Sequence, residues 1–181
     1  MKSLTVPQLK KRLQSMDKES LEALLMSLYQ ESAAVKEMLN IRLQGEDYAL
    51  EVAEKYKKKL RRVFFPSDII RTGFSLSEAK GIVREFAQQY GKCSLATADL
   101  KLAFAEYALE FTNEFGDIDE LFYNALAAMY ADVIDIAIDD DSICEKLRPR
   151  LRACLDDIQC GWGLEEELRD QYARIADTDD Y

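Results

Sequence analysis

The chain has 181 residues, of which 48% are hydrophobic and 32% charged, with only 7 Gly and 3 Pro and a formal net charge of −10. This balance is typical of a helical globular domain with a sizeable core, and it excludes a disordered or β-rich chain. The sequence contains no histidine, so it lacks the commonest general base, the usual partner of a Ser or Cys nucleophile and the commonest transition-metal ligand.

The cysteines and the lengths of the apolar runs bear on the cellular location of the protein. Four cysteines, none in a C-x-x-C pair, occur at Cys93, Cys144, Cys154 and Cys160. Because no histidine can complete a zinc site, we expect reduced and mostly buried thiols. No uninterrupted apolar run approaches the roughly 20 residues that span a bilayer, and the N-terminus lacks the layout of a secretion signal. The sequence therefore predicts a cytoplasmic protein without a membrane partner.

The charge is unevenly distributed along the chain. Residues 1–92 contain 17 basic and 12 acidic residues, whereas residues 93–181 contain 7 basic and 22 acidic residues. Such asymmetry is consistent with a basic surface that faces a partner, with head-to-tail self-association into a homo-oligomer, or with solubility alone.

Three short helices are predicted at the N-terminus. Thr5, followed by Pro7, begins the first, Asp17 caps the second and Ser32 caps the third. The second helix has four leucines at helical spacing, Leu21, Leu24, Leu25 and Leu28.

A fourth helix is predicted over residues 46–65, ending before Pro66. Four of its cations share one face: Lys55, Lys58, Lys59 and Arg62. This basic face could contact phosphates of a nucleic acid, or it could be a solvated surface near a helix C-terminus, where the dipole favours cations. Leu4 to Leu13 also resembles the opening helix of SAP-type DNA-binding modules.

Further helices follow an irregular link at residues 66–74. Ser75 caps the fifth helix and Gly91 ends it, while Ser94 or Thr97 begins a sixth that Gly116 ends. A seventh is predicted over about residues 118–138. Residues 139–142 are predicted to be the cap region of the eighth, because Ser142 with Glu145 has the spacing of a capping box. Pro149 is expected to kink that helix, residues 161–163 to form a tight turn that buries Trp162, and residues 177–181 to fray.

The segment 110–124, EFTNEFGDIDELFYN, is predicted to be a tight helical hairpin. Gly116 ends one helix, and Asp117 with Glu120 has capping-box spacing for the next. We expect Phe111, Phe115, Ile118 and Phe122 to be buried there. The candidate interaction residues are Asn113, Glu114, Asp117, Asp119, Tyr123 and Asn124. They are interpreted either as internal hydrogen-bond partners that fix the helix crossing or as a polar notch for a partner or ligand.

No catalytic, metal or cofactor site is predicted. A di-iron bundle needs histidine, the ligand ladder of an EF-hand is missing, and the glycines at 161 and 163 lead into three glutamates that would repel phosphate. A carboxylate acid/base pair drawn from Glu110, Glu114, Asp117 and Asp119 is disfavoured, because capping and solvation account for at least two of these groups.

Several passages resemble an uncharacterised family of bacterial helical proteins known only as a domain of unknown function. The resemblance rests on the 110–124 segment, the Gly161-Trp-Gly163 turn, Phe64-Phe65-Pro66 and Leu9-Lys-Lys-x-Leu13. It implies a single all-helical domain of bacterial cytoplasmic origin and supplies no reaction, substrate or catalytic residue.

Together these observations predict an all-α bundle of about eight or nine helices with short antiparallel connections. Residues 1–181 are expected to form one domain, with a possible N-terminal subunit at 1–65 and a helical core at 75–176. The expected function is non-enzymatic protein interaction or scaffolding, and the alternative is nucleic-acid binding through the basic face.

Overall fold

The structure is a computed structural model that describes residues 3–159 and 163–176. The all-α prediction is confirmed, since these residues contain helices and no strand. The helices are α1 (Val6–Gln14), α2 (Lys18–Glu31), α3 (Ala33–Gln44), α4 (Glu46–Phe64), α5 (Ile69–Thr72), α6 (Leu76–Tyr90), α7 (Leu95–Phe115), α8 (Glu120–Asp139), α9 (Asp141–Asp156) and α10 (Leu164–Tyr172). The link expected at residues 66–74 thus contains the short helix α5.

Side-chain caps account for many of the helix starts. The Asp17 carboxylate accepts a hydrogen bond from the Ser20 amide at 2.7 Å, and the hydroxyls of Ser75 and Ser94 accept from amides three residues on. Each cap satisfies a backbone donor that the first helical turn leaves without a partner. These predicted starts are therefore confirmed.

The start of α9 differs from the prediction. Asp140, rather than Ser142, is the capping residue, and its carboxylate accepts from the amides of Ser142 and Ile143 at 3.0 and 3.2 Å. The helix begins at Asp141, two residues earlier than the Ser142 box would require, and Asp140 has the extended backbone of a cap. Pro149 lies inside α9, which continues to Asp156. The predictions for Trp162 and for residues 177–181 concern positions outside the described residues.

The chain divides into unit 1, Met1–Gly45, and unit 2, Glu46–Tyr181. In unit 2, α7 packs against α4, α6, α8 and α9, while α10 packs on α8 and α9. Aromatic side chains fill the centre, where the Phe64 ring lies 5.2 Å from that of Phe104 and 4.9 Å from that of Phe74. The buried apolar side chains of α7 form the surface on which this unit is assembled.

The boundary between the units differs from the subdivision suggested by the sequence, which placed α4 with the N-terminal helices. The structure places α4 with the C-terminal ones, because its stripe of Val52, Tyr56 and Leu60 is buried in unit 2. Pro66 therefore begins a connection inside unit 2, which contains α5.

The described side chains of unit 1 form no comparable core. Its α2 packs on α3, and the Tyr29 hydroxyl donates to Asn40 Oδ1 at 3.0 Å. Among residues 3–40 and 42–45, no side chain is buried. Its exposed large apolar side chains are Leu4, Val6, Leu9, Leu24, Leu25, Met26, Leu28, Met38 and Leu43.

Of the helices that the structure describes, α8 alone is long and apolar enough to cross a bilayer by length and composition. Because Asp132, Asp135 and Asp139 interrupt its apolar residues, α8 is not an uninterrupted apolar run in the sequence. Its most apolar 18-residue window is 56% buried, and α8 packs on α7, α9 and α10. This is the burial of a core helix.

Candidate functional site

The hairpin between α7 and α8 forms where the sequence predicts it, with one correction at the cap. The Gly116 amide donates to the Thr112 carbonyl at 2.8 Å and ends α7. Asp119, rather than Asp117, caps α8 by accepting from the Phe122 amide at 2.8 Å. Because α8 begins at Glu120, Asp117 lies too far from the first turn to cap it. Asp117 Oδ1 instead accepts a hydrogen bond from the Tyr123 hydroxyl at 2.7 Å.

Four of the six candidate interaction residues have internal partners. Besides the three just described, Asn113 donates from Nδ2 to the Asp157 carbonyl at 2.7 Å and so joins α7 to the end of α9. Glu114 and Asn124 are exposed. Most of the residues predicted to form a polar notch therefore make hydrogen bonds that hold the hairpin in place.

The apolar side chains of the hairpin divide between core and surface. Phe111 and Phe122 are buried, as expected, but Phe115 and Ile118 are 44% and 39% exposed, which corrects the prediction that all four are buried. The reason is their position at the last turn of α7 and in the loop, beyond the end of α4 at Phe64. Leu121, in the first turn of α8, is 71% exposed.

We call Phe115, Ile118 and Leu121 the hairpin-tip surface. Segment 110–124 contains five acidic residues and no Lys or Arg. In the described part of the chain, none of the four acids nearest this surface, Glu114, Asp117, Asp119 and Glu120, forms an ion pair. This short segment thus has three exposed apolar side chains and, next to them in sequence, four acidic residues without an ion pair among the described residues.

The fifth acid, Glu110, is neutralised. The Arg61 guanidinium donates to both carboxylate oxygens of Glu110 at 2.7 Å and lies over the rings of Phe65 and Tyr107 at 4.8 and 5.2 Å. The bidentate hydrogen bond lowers the pKa of Glu110 and raises that of Arg61. This pair joins α4 to α7 directly beside the hairpin.

A partly buried ionic network, which the sequence analysis missed, joins three helices of unit 2. The buried Asp99 carboxylate on α7 accepts from Lys57 of α4 at 2.6 Å and from Arg150 of α9. Arg150 also forms a bidentate pair with Glu106 at 2.8 and 2.7 Å. The sequence signal that could have indicated this network is Asp99, an acidic residue among the apolar residues of α7. A buried carboxylate at such a position needs cationic partners.

The hydrogen bonds of the network stabilise the protonated form of Lys57. Burial lowers the pKa of Lys57, but hydrogen bonds to Asp99 and Glu54 outweigh it and leave the pKa raised. Beside the network, a cavity of about 390 Å³ is lined by Glu106, Arg150 and Cys154, among others. Burial raises the pKa of the Cys154 thiol to about 12, so it is protonated near neutral pH. The arrangement suits cohesion of the fold better than proton transfer or nucleophilic attack.

The basic face is present on α4 as predicted. Lys55, Lys58, Lys59 and Arg62 are exposed, whereas the neighbouring Lys57 is largely covered and pairs with Asp99, and the exposed Arg61 pairs with Glu110. Lys59 also lies over the Tyr56 ring, 4.3 Å from its centre. A cavity of about 400 Å³ adjoins this face, with Lys59 and Arg62 on one side and Glu78 on another.

Possible metal ligands are dispersed in the described ranges, where no three Cys, Asp or Glu side chains lie close enough to hold a metal ion. Cys93 is exposed, whereas Cys144 and Cys154 are buried. The prediction for Cys160 concerns a residue outside the described ranges.

Comparison with known proteins gives a family but no activity. A family model described as a family of unknown function, DUF6155, matches residues 4–178. The chain belongs to this family. The match covers nearly the whole chain, both units included, and confirms the resemblance to an uncharacterised domain. No curated protein matches the DUF6155 chain, and no solved structure does.

Proposed function

We propose that this DUF6155 protein is a non-enzymatic interaction protein whose hairpin-tip surface binds an apolar, basic segment of another protein. The observation that supports this most directly is the exposure of Phe115, Ile118 and Leu121 within seven consecutive residues. Clustered exposed apolar side chains with a polar rim are typical of protein-binding surfaces.

The acidic charge beside the hairpin-tip surface specifies the chemistry of the partner. Glu114, Asp117, Asp119 and Glu120 lie next to the apolar residues in sequence, without a cation in the same segment. A partner segment with Lys or Arg beside its apolar residues would match this potential, whereas an acidic segment or a nucleic acid would be repelled. Hydrogen bonds hold Asp117 and Asp119 in place before binding, so little ordering is required of these carboxylates.

The test compares two substitutions on α8. Leu121→Glu removes the most exposed residue of the hairpin-tip surface, and Ile138→Glu makes the same change at a 45% exposed position near the far end of the helix. We expect a protein captured by the wild type to be retained by Ile138→Glu and lost with Leu121→Glu. A peptide of its contacting segment should then bind the wild type in titration calorimetry, more weakly as salt increases. Equal loss with both variants, or a partner segment without basic residues, would refute the proposal.

Nucleic-acid binding is the alternative function, and the exposure of Lys55, Lys58, Lys59 and Arg62 favours it. In the described structure these four form no ion pair. The combined reversal of Lys58, Lys59 and Arg62 to Glu should abolish binding to a DNA or RNA duplex, and wild-type binding should weaken steeply with salt. The net charge of −10 opposes this function, so we rank it second.

We further propose that the protein is bacterial, acts in the cytoplasm and performs no catalysis. Two observations support the absence of catalysis. The sequence contains no histidine, and the charges of Asp99, Lys57 and Arg150 are engaged in ion pairs with one another. Purification with a stoichiometric nucleotide or metal would contradict it.

A further inference from the structure

We propose that two copies of this chain associate through α2 in a symmetric, antiparallel dimer. The surface lies in unit 1 and is independent of the hairpin-tip surface. The starting observation is the leucine stripe of α2, in which Leu24, Leu25 and Leu28 are 39%, 50% and 42% exposed. An amphipathic helix is normally stabilised by burying such a stripe.

The size of unit 1 makes the exposed stripe more significant. A unit of about 45 residues is near the lower limit for a chain that folds on its own core, and small units commonly rely on oligomerisation, disulfides or metals. Unit 1 contains no Cys and no His, so a covalent or zinc staple is excluded. Of these common routes, association through its exposed apolar side chains is the one that the composition of unit 1 permits.

The stripe is self-complementary about a two-fold axis between Leu24 and Leu25. Antiparallel pairing about this axis places Leu24 opposite Leu25 of the second copy and Leu21 opposite Leu28. The same pairing brings the Lys18 end of one helix beside the Glu31 end of the other. Both charges are on the exposed surface, where Lys18 has only a weak pairing with Glu22 at 3.6 Å. The opposed helix dipoles also favour this orientation.

Charge and area permit such a dimer. Unit 1 has seven basic and five acidic residues, whereas the rest of the chain has 17 and 29, so two copies repel each other least through unit 1. The exposed apolar side chains of unit 1, which include Leu4, Val6 and Leu9 besides the α2 stripe, have a total area on the order of 500 Å² per copy, close to the roughly 600 Å² per partner of small specific interfaces. Interfaces of this size are typical of weak, reversible association, so we expect a dissociation constant on the order of micromolar.

Sedimentation equilibrium of the full chain tests the proposal over about 1 to 200 μM, a range that spans a micromolar dissociation constant. We expect a transition from the 20.8 kDa monomer to twice that mass. Leu24→Glu and Leu25→Glu should each weaken the dimer at least roughly 100-fold, because a symmetric interface contains each substitution twice. Met26→Glu is the matched control, since Met26 is 54% exposed on the opposite face of the same helix, and it should leave the dimer unchanged.

Charge reversal tests the orientation. Lys18→Glu and Glu31→Lys should each weaken the dimer, by roughly 3- to 10-fold, and the double variant should restore it, whereas a parallel pairing gives no such restoration. At the lowest concentration, where the wild type is also monomeric, circular dichroism should show the same helicity for the wild type and for every variant. The proposal is overturned by a monomer over the whole range, by an open series of larger oligomers, by a dimer that tolerates Leu24→Glu, or by a stripe that binds only a different protein.

Discussion

Two asparagines beside the α7–α8 turn show how position decides the role of a polar residue. The side chain of Asn113 crosses to α9 and donates to the Asp157 carbonyl, a group that the end of that helix leaves without an intrahelical donor. Asn124 lies on the exposed side of α8. The two amides are chemically alike, so their substitution separates stability from surface recognition.

We expect Asn113→Ala to lower the free energy of unfolding by about 1 kcal/mol, the usual net contribution of one hydrogen bond, and the melting temperature by about 2 to 4 °C. Asn124→Ala should change neither measurably. Thermal unfolding followed by circular dichroism provides the comparison. If Asn113→Ala melted like the wild type but lost a protein partner, Asn113 would belong to a binding site and would not be needed to hold the α7–α8 hairpin in place.

At the scale of elements, the turn of the α7–α8 hairpin depends on a backbone conformation that only glycine adopts readily. Gly116 has φ +84° and ψ −171°, and a Cβ built on it would meet no atom within 4 Å. A substitution there would therefore cost backbone strain alone. Gly81, inside α6, has equally open surroundings without a positive φ.

Gly116→Ala should destabilise unit 2 by roughly 1 to 3 kcal/mol through this strain, whereas Gly81→Ala should stabilise it by about 0.5 to 1 kcal/mol, because alanine loses less entropy in a helix. Urea denaturation of both variants measures the two effects. Equal effects of the same sign would show that strain does not govern the turn.

At the scale of the whole molecule, the buried core belongs to one unit. Every buried side chain that the structure describes lies in residues 46–181, from Ala49 to Ile175. Unit 1 contributes helices without a buried side chain in its described positions. The energetic contribution of apolar burial to stability is correspondingly concentrated in unit 2.

A chain that begins at Glu46 should therefore fold with a melting temperature within about 5 °C of the full-length protein, since the free-energy change from losing exposed helices is small. It should also be monomeric wherever the full chain dimerises. Loss of cooperative melting in the shortened chain would show that unit 1 stabilises unit 2.

The sequence predicted local structure well because caps and breakers act within a few residues. Ser75, Ser94, Gly91 and Gly116 all have the predicted roles. The error at Asp117 arose because Asp119 is another good capping residue two positions away, and only the path of the loop decides between them. The pairing of Asp99 with Arg150 joins residues 51 positions apart, which no local pattern specifies. The exposure of Phe115 depended likewise on where α4 ends.

The Asp99 network has a consequence for the alignment of α4 along α7. Apolar stripes alone would tolerate a slip by about one helical turn, since Val52, Tyr56 and Leu60 recur every four residues, about 6 Å along the helix axis. Such a slip would carry Lys57 away from Asp99 and leave a buried carboxylate with one cation fewer, at a cost of several kcal/mol. The network therefore selects a single register for the two helices, and with it the position of the hairpin relative to the end of α4.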